Sequence, residues 1–104
     1  MDEMKYLNDF SIISFAGDSK SKSMLAIKAA REGDFDKAEE YLKAAEEGMN
    51  LAHEKQFEML QQESNGNPVD LTIVTVHGQD HLTMAIMMYD LAKEFMYLYK
   101  EIRK

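Results

Sequence analysis

Apolar positions fall into three blocks separated by two polar breaks. The first break is REGDF (31–35). Gly33 suits a helix C-terminus because it tolerates positive φ, and Asp34 suits the next N-cap. The second is ESNGNPVD (63–70), where Asn65-Gly66 favours a turn and Pro68 cannot continue a helix. Asp70 or Thr72 can cap the third block. The blocks run over 3–32, 35–63 and 71–102, each near thirty residues and about 45 Å long as a helix at about 1.5 Å per residue. Short connections between long helices make neighbours antiparallel, so the pattern predicts an all-α, up-down-up three-helix bundle.

The blocks differ in patterning. Block two is amphipathic, with Ala38, Leu42, Ala45, Met49, Ala52 and Met59 at helical spacing. Block one gives a looser stripe of Phe10, Ile13, Met24, Leu25 and Ile27, interrupted by Gly17, Asp18 and serines. One long helix with Gly17 at a close crossing is favoured over a break near AGDSKS. Block three is apolar on too many sides. One row runs Leu71, Val74, Gly78, His81, Ala85, Met88, Ala92; a second runs Ile73, His77, Asp80, Met84, Met87, Leu91, Leu98. The charged faces of the other two helices cannot cover both. A second copy of the chain is the simplest cover, which predicts a homo-oligomer of closed symmetry with the third helices at its centre.

Composition narrows the class. The chain has 104 residues, is 45% apolar, and reads as one domain over 1–104. Its nine methionines are expected to fill gaps in the core. A net charge of −7 repels phosphate backbones, so nucleic acid is excluded as an expected partner. Without cysteine there is no disulfide, Cys-based zinc site or thiol nucleophile, which is compatible with the cytosol. MDEMKYLNDF lacks the layout of a signal peptide, and no apolar run reaches the ~18–20 residues of a membrane span. The expectation is an acidic, soluble, cytoplasmic protein with no membrane insertion.

The chemistry concentrates in VHGQDHLTMA (76–85). His77, Asp80 and His81 stand at i, i+3 and i+4, on one side of a helix. Gly78 between them costs about 1 kcal/mol relative to alanine, which makes sense if something approaches the backbone closely. Three readings remain open. The histidines can be structural, with Asp80 held by one of them. The cluster can bind a metal: the spacing superficially resembles an inverted zincin, but the acid is Asp and no distant third ligand is evident, whereas Asp80 oxygens converging at an oligomer axis suit a hard cation such as Mg²⁺. Or one neutral imidazole can accept a phosphoryl group, with the second histidine donating to it if protonated and the Gln79 amide donating from its own subunit or across a subunit boundary. No ATP-binding motif is present, so the donor would be another phosphoprotein.

Three stretches, AGDSKSKSMLAIKAAREGDFDKA (16–38), AHEKQ (52–56) and VHGQDHLTMA (76–85), resemble the IIA component of lactose/cellobiose-type (also N,N′-diacetylchitobiose) sugar phosphotransferase systems. The last of them departs slightly from the family in having Thr83 then Met84 where Met then Thr is frequent. The resemblance implies a homotrimer of three-helix bundles. It implies that His77 accepts a phosphoryl group from the phosphocarrier protein HPr and passes it to a cysteine of the IIB component, for uptake of a disaccharide. Asp80 matches the residue that gathers around a divalent ion, often magnesium, on the threefold axis. Gln79 and His81 match positions beside the phosphorylated histidine, and His53 is left structural. The competing reading is a non-catalytic metal-binding or regulatory helical trimer on the same fold.

Overall fold

The structure, a computed structural model, describes residues 6–104 and consists of three α-helices with no strand among them. α1 spans Leu7–Arg31, α2 Phe35–Ser64 and α3 Ile73–Ile102. The expected start of the first helix at residue 3 lies outside the described residues. Both breaks fall where their chemistry requires. Gly33 takes φ 85° after α1, and Asp34 accepts from the Lys37 N–H at 3.2 Å to open α2. Gly66 takes φ 87° after α2, and Thr72 rather than Asp70 caps α3, its hydroxyl accepting from the Thr75 N–H at 3.3 Å. The Asp70 carbonyl instead accepts from the Thr75 hydroxyl at 3.0 Å.

α1 is unbroken through Gly17, and it packs along both other helices. Its buried side is Ile12, Ala16, Ser19, Ser23, Ala26, Ala29 and Ala30. This corrects the stripe of large residues expected from the sequence: Phe10 and Met24 are 56% and 53% exposed. A helix flanked on two sides is buried through small residues, which let neighbouring backbones close in. Ser19 is fully buried, and its hydroxyl donates to the Ala45 carbonyl across the α1–α2 seam at 2.7 Å. Gly17 is not at a close crossing, because a Cβ there would meet nothing within 4 Å. The tight approach is at Gly48 of α2, whose Cβ position lies 3.1 Å from the Phe15 carbonyl oxygen.

Contacts fix the helix register. Asp9 and Thr75 meet near the starts of α1 and α3, and the Arg103 guanidinium donates to the Arg31 carbonyl at their far ends. α2 meets α3 through Gln56–Gln79, Glu46–Tyr89 and Glu39–Lys100. The core forms two clusters. One gathers Ala26, Ala30, Leu42, Ala92 and Met96, the other Ile12, Ala52, Met59, Leu82 and Ala85. Met59 and Met96 are core residues as expected of the methionines, but Met24, Met84 and Met87 are exposed. The second α3 row also stays uncovered: Ile73, His77, Asp80, Met84, Met87, Leu91 and Leu98 all face outward, with Ile73 84% exposed. No helix among the described residues is long and apolar enough to cross a membrane.

Candidate functional site

The HGQDH block occupies the second and third turns of α3. Thr72 starts the helix, and Gly78 and Leu82 are buried against the body of the bundle. A Cβ at Gly78 would lie 3.4 Å from the Asp9 carbonyl oxygen and 3.7 Å from Ile13 Cγ1 of α1. α1 is therefore the neighbour beside His77, but at ordinary van der Waals separations and not at the close approach the sequence suggests. With Gly78 turned inward, His81 is half-buried at the α1 edge, while His77 and Asp80 are exposed.

The two imidazoles interact directly. His77 Nε2 and His81 Nε2 are 3.0 Å apart, with ring centroids 4.4 Å apart and planes at 89°. Such a bond needs one Nε2 protonated and the other bare. His81 Nδ1 is buried without a hydrogen-bond partner among the described residues. A buried N–H left unpaired is rarer than an unpaired acceptor, so the favoured tautomer carries the His81 proton on Nε2 and donates it to His77. Burial lowers the His81 pKa; the Lys20 charge and His77 push the same way, and Asp80 opposes them. His81 is thus held neutral, a donor rather than a cation. The pair presents an accessible His77 nitrogen with a fixed N–H beside it.

Gln79 lies elsewhere. Residues two apart on a helix do not share a face, and Gln79 Oε1 accepts from Gln56 Nε2 of α2 at 2.6 Å. The chain does not bring Gln79 to its own His77. Nor does it bring three His, Cys, Asp or Glu side chains together to hold a metal among the described residues. Asp80 stands as a single exposed carboxylate in the outward apolar row, and His53 is exposed on α2, away from the pair's hydrogen bonds. Gln56 and Lys20 were missed in the sequence. Gln56 ends the AHEKQ stretch, but its partner is visible only once α2 and α3 are aligned. Lys20 belongs to a helix whose faces the sequence did not reveal.

The comparisons with known proteins bear on this arrangement. A family model described as PTS system, Lactose/Cellobiose specific IIA subunit, matches residues 8–100. The chain belongs to this family. As a IIA subunit it is 41% identical over 91 residues to the "PTS system lactose-specific EIIA component" of Streptococcus mutans, covering 88% of each chain. It is 40% identical over 93 residues to the "Lichenan-specific phosphotransferase enzyme IIA component" of Bacillus subtilis, covering 89% of this chain and 84% of that one. The fold matches the crystal structure of the PTS cellobiose-specific enzyme IIA from Bacillus anthracis with a TM-score of 0.96 and 34% identity, over 99% of this chain and 94% of the other. The family resemblance read from HGQDH and its two companion stretches is thereby established. The protein is a IIA component of a lactose/cellobiose-type sugar phosphotransferase system.

Proposed function

We propose that this IIA subunit is a cytoplasmic phosphoryl carrier, taking the group from phospho-HPr onto His77 and passing it to the cysteine of IIB for uptake of a disaccharide. The observation that carries the reading is the exposed His77 ring hydrogen-bonded to a neutral, half-buried His81. The His81 N–H first shifts from the His77 nitrogen to an oxygen of the incoming phosphoryl group, which frees the His77 Nε2 lone pair. That pair attacks phosphorus, and the bond from phosphorus to the donor's leaving atom breaks with its electron pair. In the second transfer the IIB thiolate attacks, the P–N bond breaks, and the pair returns to His77. Apart from this donor, catalysis is positioning and charge stabilisation.

The working form proposed is a homotrimer of antiparallel three-helix bundles with α3 at the threefold axis. The register of the inter-helix contacts supports the up-down-up course. The uncovered row of Ile73, Met84, Met87, Leu91 and Leu98 supports the trimer. In that assembly three Asp80 carboxylates converge, and each is a hard donor amid apolar neighbours. Together they offer up to about six oxygens, the octahedral number that suits Mg²⁺. Such an ion would neutralise charges that otherwise repel. Gln79 would assist from across a subunit boundary, since its own chain turns it toward α2.

The test is intact-mass spectrometry after incubation with phosphoenolpyruvate, enzyme I and HPr. Wild type is expected to gain one phosphoryl mass and His77→Ala none. Uptake by His77→Ala, or no uptake by wild type with competent partners, would withdraw the carrier role in favour of a non-catalytic trimer on this fold.

A further inference from the structure

α1 carries a cation, Lys20, seven residues along the helix from the Ile13–Gly78 contact. α1 and α3 lie side by side with Asp9 against Thr75 and Ile12 and Ile13 against Gly78. One turn beyond Gly78, α3 presents His81. On the stripe begun by Ile13, Gly17 follows at i+4 and Lys20 at i+7, so both continue the seam that His81 borders. Lys20 is half-buried and forms no ion pair with a described residue. It opens a groove that continues past Ser21 and Met24 to Lys28 and Arg31. Gly17 leaves this seam open, because a Cβ there would meet nothing within 4 Å.

A phosphoryl group arriving on His77 brings about two negative charges into a chain whose net charge is already −7. His81 offers the pair a hydrogen bond, and Asp80 is repulsive. A cation on the same seam, unpaired among the described residues, has the opposite effect. We propose that Lys20 is a phosphoryl-binding residue, its ammonium moving over the open Gly17 position to contact the phosphoryl oxygens of phospho-His77. This inference rests on His77 being the acceptor. A lysine suits the task as a point charge on a flexible stem, able to follow the group as the bond to one partner breaks and the next forms. Since transfer is reversible, the same contact would serve both directions.

The experiment compares wild type, Lys20→Met and Lys20→Arg, with His77→Ala as the blank for other histidines. One arm phosphorylates His77 with phosphoramidate, a small donor that needs no protein partner, and follows phosphohistidine by ³¹P NMR. The other measures transfer from phospho-HPr as separate kcat and KM. Lys20→Met is expected to slow both arms by about tenfold or more, at or below the low end for losing one transition-state donor because the site is open to water. It should also move the ³¹P resonance and its titration, while Lys20→Arg restores most of the rate. Unchanged phosphoramidate kinetics and ³¹P signal in Lys20→Met would overturn the proposal, including the case where KM for HPr alone rises and Lys20 merely docks the partner. If wild type takes phosphate from phosphoramidate but not from HPr, the carrier reading fails while the first arm still decides on Lys20.

Discussion

Alanine at each of three helical glycines should change stability by a different amount, because the three sites have different room. At Gly17 a Cβ has no neighbour within 4 Å. Gly17→Ala should gain the helix-propensity difference, about 1 kcal/mol, and nothing else. At Gly78 the new methyl would sit 3.4 Å from the Asp9 carbonyl oxygen, 3.6 Å from Ile12 Cγ2 and 3.7 Å from Ile13 Cγ1. These are ordinary van der Waals separations, so Gly78→Ala should keep the gain of about 1 kcal/mol. At Gly48 the distances tighten to 3.1 Å from the Phe15 carbonyl oxygen and 3.4 Å from Ser19 Cβ. Backbone must give way there, and the nearby Ser19–Ala45 hydrogen bond of 2.7 Å would stretch with it. Overpacking of this kind costs about 1–3 kcal/mol, so Gly48→Ala should come out neutral to about 2 kcal/mol less stable after the propensity gain. Urea unfolding by circular dichroism, at one fixed protein concentration because the proposed association would add to stability, reads the difference. With a slope of about 1–3 kcal/mol/M, 1 kcal/mol moves the midpoint by roughly 0.3–1 M. A Gly48→Ala midpoint raised as far as that of Gly17→Ala would refute the close crossing. A large loss in Gly78→Ala would show the tight approach to be at α3 instead.

Two other predictions concern titration and charge. Tyr89 donates to Glu46 Oε2 at 2.7 Å, and burial, then Glu46, pushes its hydroxyl up to about 12. A folded pKa above the unfolded value of about 10 means the stabilisation is complete below pH 10 and is lost between about pH 10 and pH 12. Tyr89→Phe should therefore cost about 0.5–1 kcal/mol at neutral pH, discounted for its partial exposure, and the gap to wild type should shrink in that alkaline window. A gap that stays constant to about pH 11.5 in urea midpoints would refute the assignment. Asp80→Leu should leave an assembly less sensitive to chelator than wild type, since it removes the carboxylates proposed to converge around a cation. Light scattering with and without EDTA checks this, and a wild type that contains no metal and ignores chelator would end the cation proposal.

The loops and the HGQDH block were legible because their chemistry is local. Gly33 and Gly66 need positive φ, Asp34 and Thr72 bond their own helix starts, and HGQDH places its side chains by helical spacing alone. The face of α1 was not legible. A hydrophobicity pattern weights Phe10, Met24 and Leu25, whereas a helix packed on two sides is buried through Ala16, Ser19, Ser23 and Ala26. For the same reason the pattern points to Gly17, in the irregular helix, as the tight glycine, whereas the close crossing is at Gly48, in the regular one. Adjacency in sequence groups Gln79 with the histidines. Its bond to Gln56, 23 residues away, requires the α2–α3 register, which no local pattern encodes.

The order of residues in HGQDH follows from the turn of the helix. With about 100° per residue and Gly78 set against α1, His81 is displaced by about 60°, His77 by about 100° and Asp80 by about 160°, all to the same side. Burial follows that order: Gly78 is buried, His81 half-buried, His77 and Asp80 exposed. Each position suits a different demand. His81 lies close enough to α1 for burial to hold it neutral, yet one turn from His77, so its N–H reaches the neighbouring ring. His77 clears the α1 seam, where a partner protein can reach it and Lys20 can approach from the side. Asp80 falls in the outward apolar row, where a lone carboxylate is tolerated in the single chain but needs compensation once that row is covered. Exchanging Gly78 and His77 in sequence would drive the imidazole into Ile12 and Ile13 and turn the nucleophile away from any donor. The small residue at position 78 therefore sets the phase of the site.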